Sequence, residues 1–520
     1  MSFNTSMSAL ASVIREKAGV SGLLTVDGMT SAVSSISTGG GDLTPFINGS
    51  VSSAIITADA VTIRPYAFYS CTSLSSVQIN NGIQSIGSDA FRSTHISSIA
   101  IPSSVLNVQS AAFSNCDYLS KISAYANTAI HGEAFDNSIR KDFYLSGTSN
   151  HYTIKNSAYA GVDWLSRLTL DNNITIVGTS AFYYCSISRI VMPNVSELGI
   201  STFAGTHQLT YVSMPNVLSY IPPHCFIYGG ISRLVTSNVT SIGQYAFYQT
   251  QLRDVNYSSS EEAGDDYGSA IFPSSLKHIE NDAFRECKLQ MVVLPNTLSF
   301  IGGGAFANNP IVSVNIPPSV TKIENDAFNN CDSMFHIEVP DNVSMGTAVF
   351  GECNSLESAT IGSTNVVRYK TFSNCGKLSK VTLPTNVQVI EARAFVGTAQ
   401  LSNFNIPATV TSIGSEAFMR CAISSLNLPP AVHVIEDRVF DGCIYLSTVS
   451  VNYASTIKYR AFGSCSALTS AFIGSGVTFI NSEAFADCPA LSYISCGFSS
   501  GVVSGAPWGA SPTCSVVYAN

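Results

Sequence analysis

No apolar run in the 520 residues approaches the ~18 that a membrane-crossing helix requires, so membrane insertion is not expected. Charge is sparse. Only 11% of residues are Asp, Glu, Lys or Arg, and the net charge of −9 is spread without any Lys/Arg block. Nucleic-acid binders display a basic face, so no nucleic-acid partner is expected. The first 17 residues lack the charged-then-apolar build of a secretory leader, and no anchoring tail is visible at the other end. Synthesis in a cytoplasm is the expectation. Catalytic signatures are missing too: there is no His-Glu-x-x-His, phosphate loop or Gly-x-Ser-x-Gly elbow. The histidines (His95, His131, His151, His207, His224, His278, His336 and His433) are scattered over the chain. No Cys-x-x-Cys pair occurs, which argues against zinc. No enzyme, no cofactor and no metal is expected.

What is present is a ruler of phenylalanines. Phe68, Phe91, Phe113 and Phe135, then Phe182, Phe203, Phe226 and Phe247, then Phe284 onward through Phe485 follow one another, mostly at steps of 21 to 23 residues. A fixed period of that size is the mark of a solenoid, in which each repeat buries its apolar face against its neighbours. Within a repeat such as Ile279–Pro295, an apolar pair leads into Ala283-Phe284, Cys287 follows, and a strand-like Leu289-x-x-Val292-x-Leu294 ends in Pro295. Apolar residues alternate with small polar ones there, as in a half-buried strand. Pro directly after it turns the chain out. A second short extended segment, such as Val387–Ile390, precedes the next Ala-Phe. Eleven of the 14 cysteines lie three residues after a repeat phenylalanine. A place filled by Cys in many repeats and by Ser, Thr, Asn or Gly in others reads as a small buried site, with Cys as a compact reduced hydrophobe. Carboxylates just before the phenylalanines (Glu280, Asp282, Glu324, Asp326, Glu416) read as turn residues.

The repeat pattern Val-x-x-Ile-Gly-x-x-Ala-Phe-x-x-Cys-x-x-Leu-x-x-Val-x-Ile-Pro resembles the BspA-type leucine-rich repeat family over roughly nine-tenths of the chain. The resemblance implies a mainly β, curved solenoid of about twenty 21–24-residue repeats, with a parallel strand per repeat and short turns or helices between. It also implies a surface adhesion or host-interaction role without catalytic residues to carry over. Function is inferred there by analogy.

The expected organisation is a helical attachment unit at 1–38, a glycine-rich linker at 39–45, a partial first repeat at 46–67, the solenoid at 68–490 and a C-terminal cap at 491–520. In the first of these, Leu10, Val13 and Ile14 follow helical spacing, and Met29, Val33 and Ile36 line a second short stripe. Ala11, Ile14, Arg15, Lys17, Gly19, Leu24, Thr25, Met29, Ala32 and Val33 make this stretch resemble a short unit found at the start of many tailed-phage and prophage structural proteins. That resemblance implies a virion-docking unit, other tail proteins as partners and a place on the virion tail. Two units break the period. Between Phe135 and Phe182, Tyr159 stands near the missing phenylalanine. Between Phe247 and Phe284 an insert near 257–270 carries Tyr257, Glu261, Glu262, Asp265, Asp266 and Tyr267. Trp508, one period past Phe485, reads as a lid on the last turn.

The two residues flanking the strand Val should point away from the core. They are mostly Ser, Thr, Asn and Gln: Ser76, Gln78, Ser313, Asn315, Ser358, Thr360, Asn403, Asn405, Ser425, Asn427, Thr448 and Ser450. One neighbourhood differs, where Arg189, Tyr211 and Arg233 share a register and Asp254 and Asn256 follow. Together with the insert, these residues form the candidate site for a host cell-surface glycan or protein. The functional expectation is a non-catalytic receptor-binding protein of a phage tail. The alternative is a bacterial or protist surface adhesin of the same repeat type, and a polysaccharide-degrading enzyme is the remotest reading.

Overall fold

A computed structural model describes residues 52–56, 61–131, 133–136, 141–148, 152–256 and 269–519. The expected attachment unit and linker, and Tyr257 through Gly268 of the insert, lie outside the described residues. The chain divides into two compact units, 1–238 and 239–520. Both are built from the same turn, and no helix occurs among the described residues.

Each turn has three sides. A longer strand alternates exposed and buried residues, as in Ser76–Ile79, where Val77 and Ile79 face the core. A two-residue strand follows, such as Ser85–Ile86. The second extended segment of each repeat thus forms a ladder of its own, so a typical turn carries two strands. The third side is a tight corner around Ala-Phe. All the strand pairings among the described residues are parallel, and the same place in successive turns stacks in register: Ser98 on Lys121 and Ile99 on Ile122, Ser358 on Lys380 and Ala359 on Val381.

The corner explains the phenylalanine ruler. Phe68, Phe91, Phe113 and Phe135 stack at centroid separations of 5.0, 5.0 and 4.9 Å, with planes within 6°. In the second unit the column runs unbroken from Phe247 and Phe284, 5.2 Å apart, to Phe462 and Phe485, 5.5 Å apart. Full burial of such a ring is worth ~1.5–3 kcal/mol, and offset stacking adds ~0.5–1.5 kcal/mol. Tyr159 takes the corner position of the degenerate unit. It is fully buried, stacks on Phe182 at 5.4 Å, and donates its hydroxyl to the Thr128 carbonyl.

Two residues per corner, two before and two after the phenylalanine, adopt left-handed backbone: Tyr66 and Ser70, Asp89 and Ser93, Asp282 and Glu286. For residues with a Cβ this costs ~1–2 kcal/mol each. Hydrogen bonds to the next turn offset it, as Tyr66 N to Ser88 O at 3.0 Å and Ser70 N to Arg92 O at 2.9 Å. Asp282 and Glu416 hold such positions and pair with Arg285 and Arg393, consistent with a turn role.

The cysteine site is more than a small apolar niche. All fourteen thiols are free and buried. Nine of the eleven after a phenylalanine donate to the phenylalanine carbonyl of the preceding turn, among them Cys116 to Phe91 at 3.1 Å, Cys353 to Phe328 at 3.3 Å and Cys443 to Phe418 at 3.2 Å, while Cys185 donates to Tyr159 O at 2.7 Å. Asn309 at the same place donates to Phe284 and Phe306, and Thr206 to Phe203. Where this place carries Cys, Thr or Asn, the side chain donates to a buried phenylalanine carbonyl, that of the preceding turn for Cys and Asn and that of its own turn for Thr.

Two features depart from expectation. Ser269–Ile271, at the end of the supposed insert loop, is a strand. It pairs with Asp254–Val255 on one side and Met291–Val293 on the other. Because Phe247 and Phe284 still stack directly, the insertion adds a strand without adding a corner. In contrast, Asn403, Asn405, Ser425 and Asn427 lie in extended segments that form no strand. Phe404 replaces the usual Val there, and its half-buried ring wedges against Phe395 and Phe418 at 5.1 and 5.3 Å. A ring at a Val position holds the backbone off its neighbours.

At the far end Trp508 is fully buried. Its carbonyl accepts from Phe485 N at 2.9 Å, and its indole N–H donates to Ser504 O at 2.8 Å.

Candidate functional site

The outward residues of the long strands in the first unit form one row. Its register runs Ser98, Lys121, Asp142, Arg167 and Arg189 through successive ladder pairs. Tyr211 and Arg233 are paired in the next ladder. Five charged residues and a tyrosine therefore occupy six successive positions of a row that elsewhere carries mostly Ser and Thr. Arg167 donates to Asp142 at 3.2 Å, with the two side chains 57% and 32% exposed. Arg167 escaped the sequence reading because the missing phenylalanine of that unit hides the period, whereas Lys121 and Asp142 follow Phe113 and Phe135 at the same spacings by which Tyr211 and Arg189 follow Phe203 and Phe182. The buried Trp164 that fills the gap lies 4.5 Å from the Phe135 ring.

The row is not continuous. No ladder joins Arg189–Val191 to Tyr211–Ser213 among the described residues, since one sheet ends at the first and another begins at the second. The short sheet ends at the same step, after Glu197–Leu198. Flanking steps are closed: Ser188 N donates to Ser166 O at 2.7 Å, and Ser232 N to Thr210 O at 2.9 Å. The side chain of Asn194 bridges to Asn172 O, and that of Asn238 to Asn216 O, but no such bridge joins Asn216 to Asn194. The corner stays zipped, with Phe203 N to Cys225 O at 2.8 Å and Phe203 stacked on Phe226 at 5.4 Å.

One cause is legible. Gly199 N donates to Val177 O at 2.7 Å, and Gly178 N to Ile154 O at 2.8 Å. The next turn has Pro222 at this place, and proline has no N–H to give.

The opened step holds a cavity of about 390 Å³, lined by Arg189 through Pro193 on one turn and by Tyr211 and Ser213 through Asn216 on the next. Met192 and Met214 are 3% and 4% exposed and form its apolar floor, while Tyr211 is 45% exposed at its mouth. Arg189 is exposed and has no acidic partner among the described residues.

The remaining expected site residues divide. Arg233 is half-buried and engaged by partners. Asp254 and Asn256 belong to the second unit. Asp254 is held by Arg253 at 3.3 Å, and the Asn256 amide donates to Ile271 O at 3.0 Å. Tyr257, Glu261, Glu262, Asp265, Asp266 and Tyr267 lie outside the described residues, as do Leu10, Val13, Ile14, Met29, Val33 and Ile36. No cluster of three or more metal-ligating side chains occurs among the described residues.

The model of the BspA type leucine rich repeat region matches residues 44–161, 152–267, 263–375 and 365–492. The chain belongs to the BspA-type leucine-rich repeat family. Among solved structures it is similar to a leucine rich cell surface protein of Faecalibacterium prausnitzii, at 25% identity over 56% of this chain and 89% of that one, with a TM-score of 0.37. A leucine-rich repeat protein of Bacteroides ovatus is 19% identical over 81% and 92% of the two chains, with a TM-score of 0.41. One of Eubacterium ventriosum is 18% identical over 74% and 90%, with a TM-score of 0.33. No curated protein matches the chain. In BspA-type terms, the Gly of the Ile-Gly pair is replaced by Pro222 at this step.

Proposed function

We propose that this BspA-type protein is a non-catalytic binding protein of the adhesin kind, holding a cell-surface ligand on the outward row of its first unit. The observation that carries the reading is the concentration of Arg167, Arg189 and Tyr211 at one register beside an opened step with a cavity. Charged and aromatic side chains on a rigid ladder are preorganised for recognition, because the backbone beneath them is fixed by its neighbours. On the resemblance of residues 11–33 we place the protein on the tail of a phage or prophage. There the N-terminal unit docks to other tail proteins and the solenoid presents its row to a glycan or protein of the host surface.

The test is adsorption of fluorescently labelled full chain to a panel of bacterial strains, beside Arg189→Ala. Strain-selective binding that falls in the variant supports the reading. Binding to no strain, or equal binding of both proteins to every strain, refutes it. Antibody labelling of particles from induced lysogens tests the tail placement separately, and particles without label remove it.

A further inference from the structure

We infer that the opened step between Arg189–Val191 and Tyr211–Ser213 is a subsite for a carboxylate-bearing sugar residue. This deepens the proposed surface-binding role and rests on it.

The chemistry of the lining selects the ligand. Among the residues around the cavity Arg189 is the one cation, and no acid is among them. A single guanidinium pairs a carboxylate through two parallel N–H···O bonds. A dianionic phosphate calls for a second cation, which the lining lacks. Tyr211 stands at the same register on the facing turn and offers a flat, half-exposed ring. Such a ring covers the C–H face of a pyranose while its hydroxyl stays in water. Met192 and Met214 supply an adaptable apolar floor, and Ser213 and Asn216 bring polar groups to the rim. A charged atom, an aromatic face and rim hydrogen bonds match an acidic sugar better than a flat protein surface.

The break in the ladders adds a second element. The edges of Arg189–Val191 and Tyr211–Ser213 that face this step pair with no strand among the described residues, and they border the cavity. Backbone N–H and C=O groups at such edges are matched to hydroxyls. The volume of about 390 Å³ lies at the lower end of small-ligand sites, which span ~300–1,000 Å³. The subsite therefore takes one acidic residue of a longer glycan, with the neighbouring sugars running along the row toward Arg167.

The test is calorimetric titration of the full chain with trigalacturonate and with 6′-sialyllactose, beside lactose and the carboxyl-reduced trigalacturonate. The expected result is saturable binding of at least one acidic sugar, weakened by salt and absent for its neutral counterpart. Arg189→Ala and Tyr211→Ala should each weaken it by about tenfold or more, and Arg189→Lys by less. Arg92→Ala removes a corner arginine of the same unit and should leave it unchanged. Melting curves that match the parent show that the exposed variants fold. Failure of both acidic probes to bind, equal binding of the neutral ones, or an unaffected Arg189→Ala overturns the inference. If the chain still adsorbs selectively to cells, the surface-binding role survives and its ligand is of another class, such as an acidic peptide. If adsorption fails as well, the role falls with it.

Discussion

Cys353 offers a direct trial of what the repeated cysteine does. The thiol is fully buried and donates to the Phe328 carbonyl at 3.3 Å, and no other donor reaches that carbonyl among the described residues. Cys353→Ala and Cys353→Ser remove the same sulfur and leave similar space, so they differ in one hydroxyl. If the site exists to satisfy Phe328, serine retains the bond and alanine leaves the carbonyl unsatisfied. A buried polar group left without a partner costs ~1–3 kcal/mol, and a retained bond contributes ~0.5–1.5 kcal/mol. Serine should therefore be the more stable of the two by about 1 kcal/mol. If the site is only a niche for a small hydrophobe, the order reverses, because serine then buries a hydroxyl for nothing. Urea titration of the full chain, followed by circular dichroism, ranks the pair. Amide exchange over residues 328–353 shows whether the loss is local, which matters because long repeat arrays do not unfold in one step. Alanine equal to or better than serine would refute the donor role.

Other perturbations follow from the same turns. Burial pushes the thiols of Cys185, Cys287, Cys353 and Cys421 up from 9.0 to about 12. A thiol raised in the folded state contributes stability that is whole below its unfolded value and is lost as pH climbs toward the folded one. The melting temperature should thus hold to about pH 8 and fall steeply between about 9 and 12. A flat profile to pH 11 would contradict the burial. At pH 8 the native protein should react slowly with a thiol reagent, and denaturant should expose all fourteen groups. Tyr159→Ala should cost ~3–5 kcal/mol, and Tyr159→Phe about 1 kcal/mol for the Thr128 bond, both read from urea midpoints. Trp508→Ala should open residues 491–519 to limited proteolysis while 61–131 stay protected, and an unchanged digestion pattern would show that Trp508 does not hold the last turn.

The period, the buried column and the two-sided strands were legible because each rests on local pattern. A Phe every 22 residues or so has one economical explanation, and alternation across Val77 or Val292 assigns the faces. The interchange of Cys, Thr and Asn at one place hinted at the donor role of the cysteines, since those residues share a donor and differ in hydropathy, but Gly229 at the same place masked it. The site was half legible. Arg189, Tyr211 and Arg233 stand out at one register, yet the break between the first two depends on which backbone groups pair. Pro222 at a Gly position was its sequence trace. Lys121 and Asp142 stand at the ordinary spacing after Phe113 and Phe135 and were legible, while Arg167 was hidden because register counted from phenylalanines fails where Tyr159 and Trp164 share the task. The strand at Ser269–Ile271 was hidden by its distance from any corner.

The corner hydrogen bonds have a direction. Phe91 N reaches Ala112 O and Phe113 N reaches Ala134 O, so corner donors point toward the turn that comes later in the chain. A corner emerging from the ribosome has its left-handed residues in place only when the following 22 or so residues have been made. Each turn is thus completed by its successor. The growing end of the protein always carries one strained, unfinished corner, and the segment ending in Trp508 closes the one at Phe485.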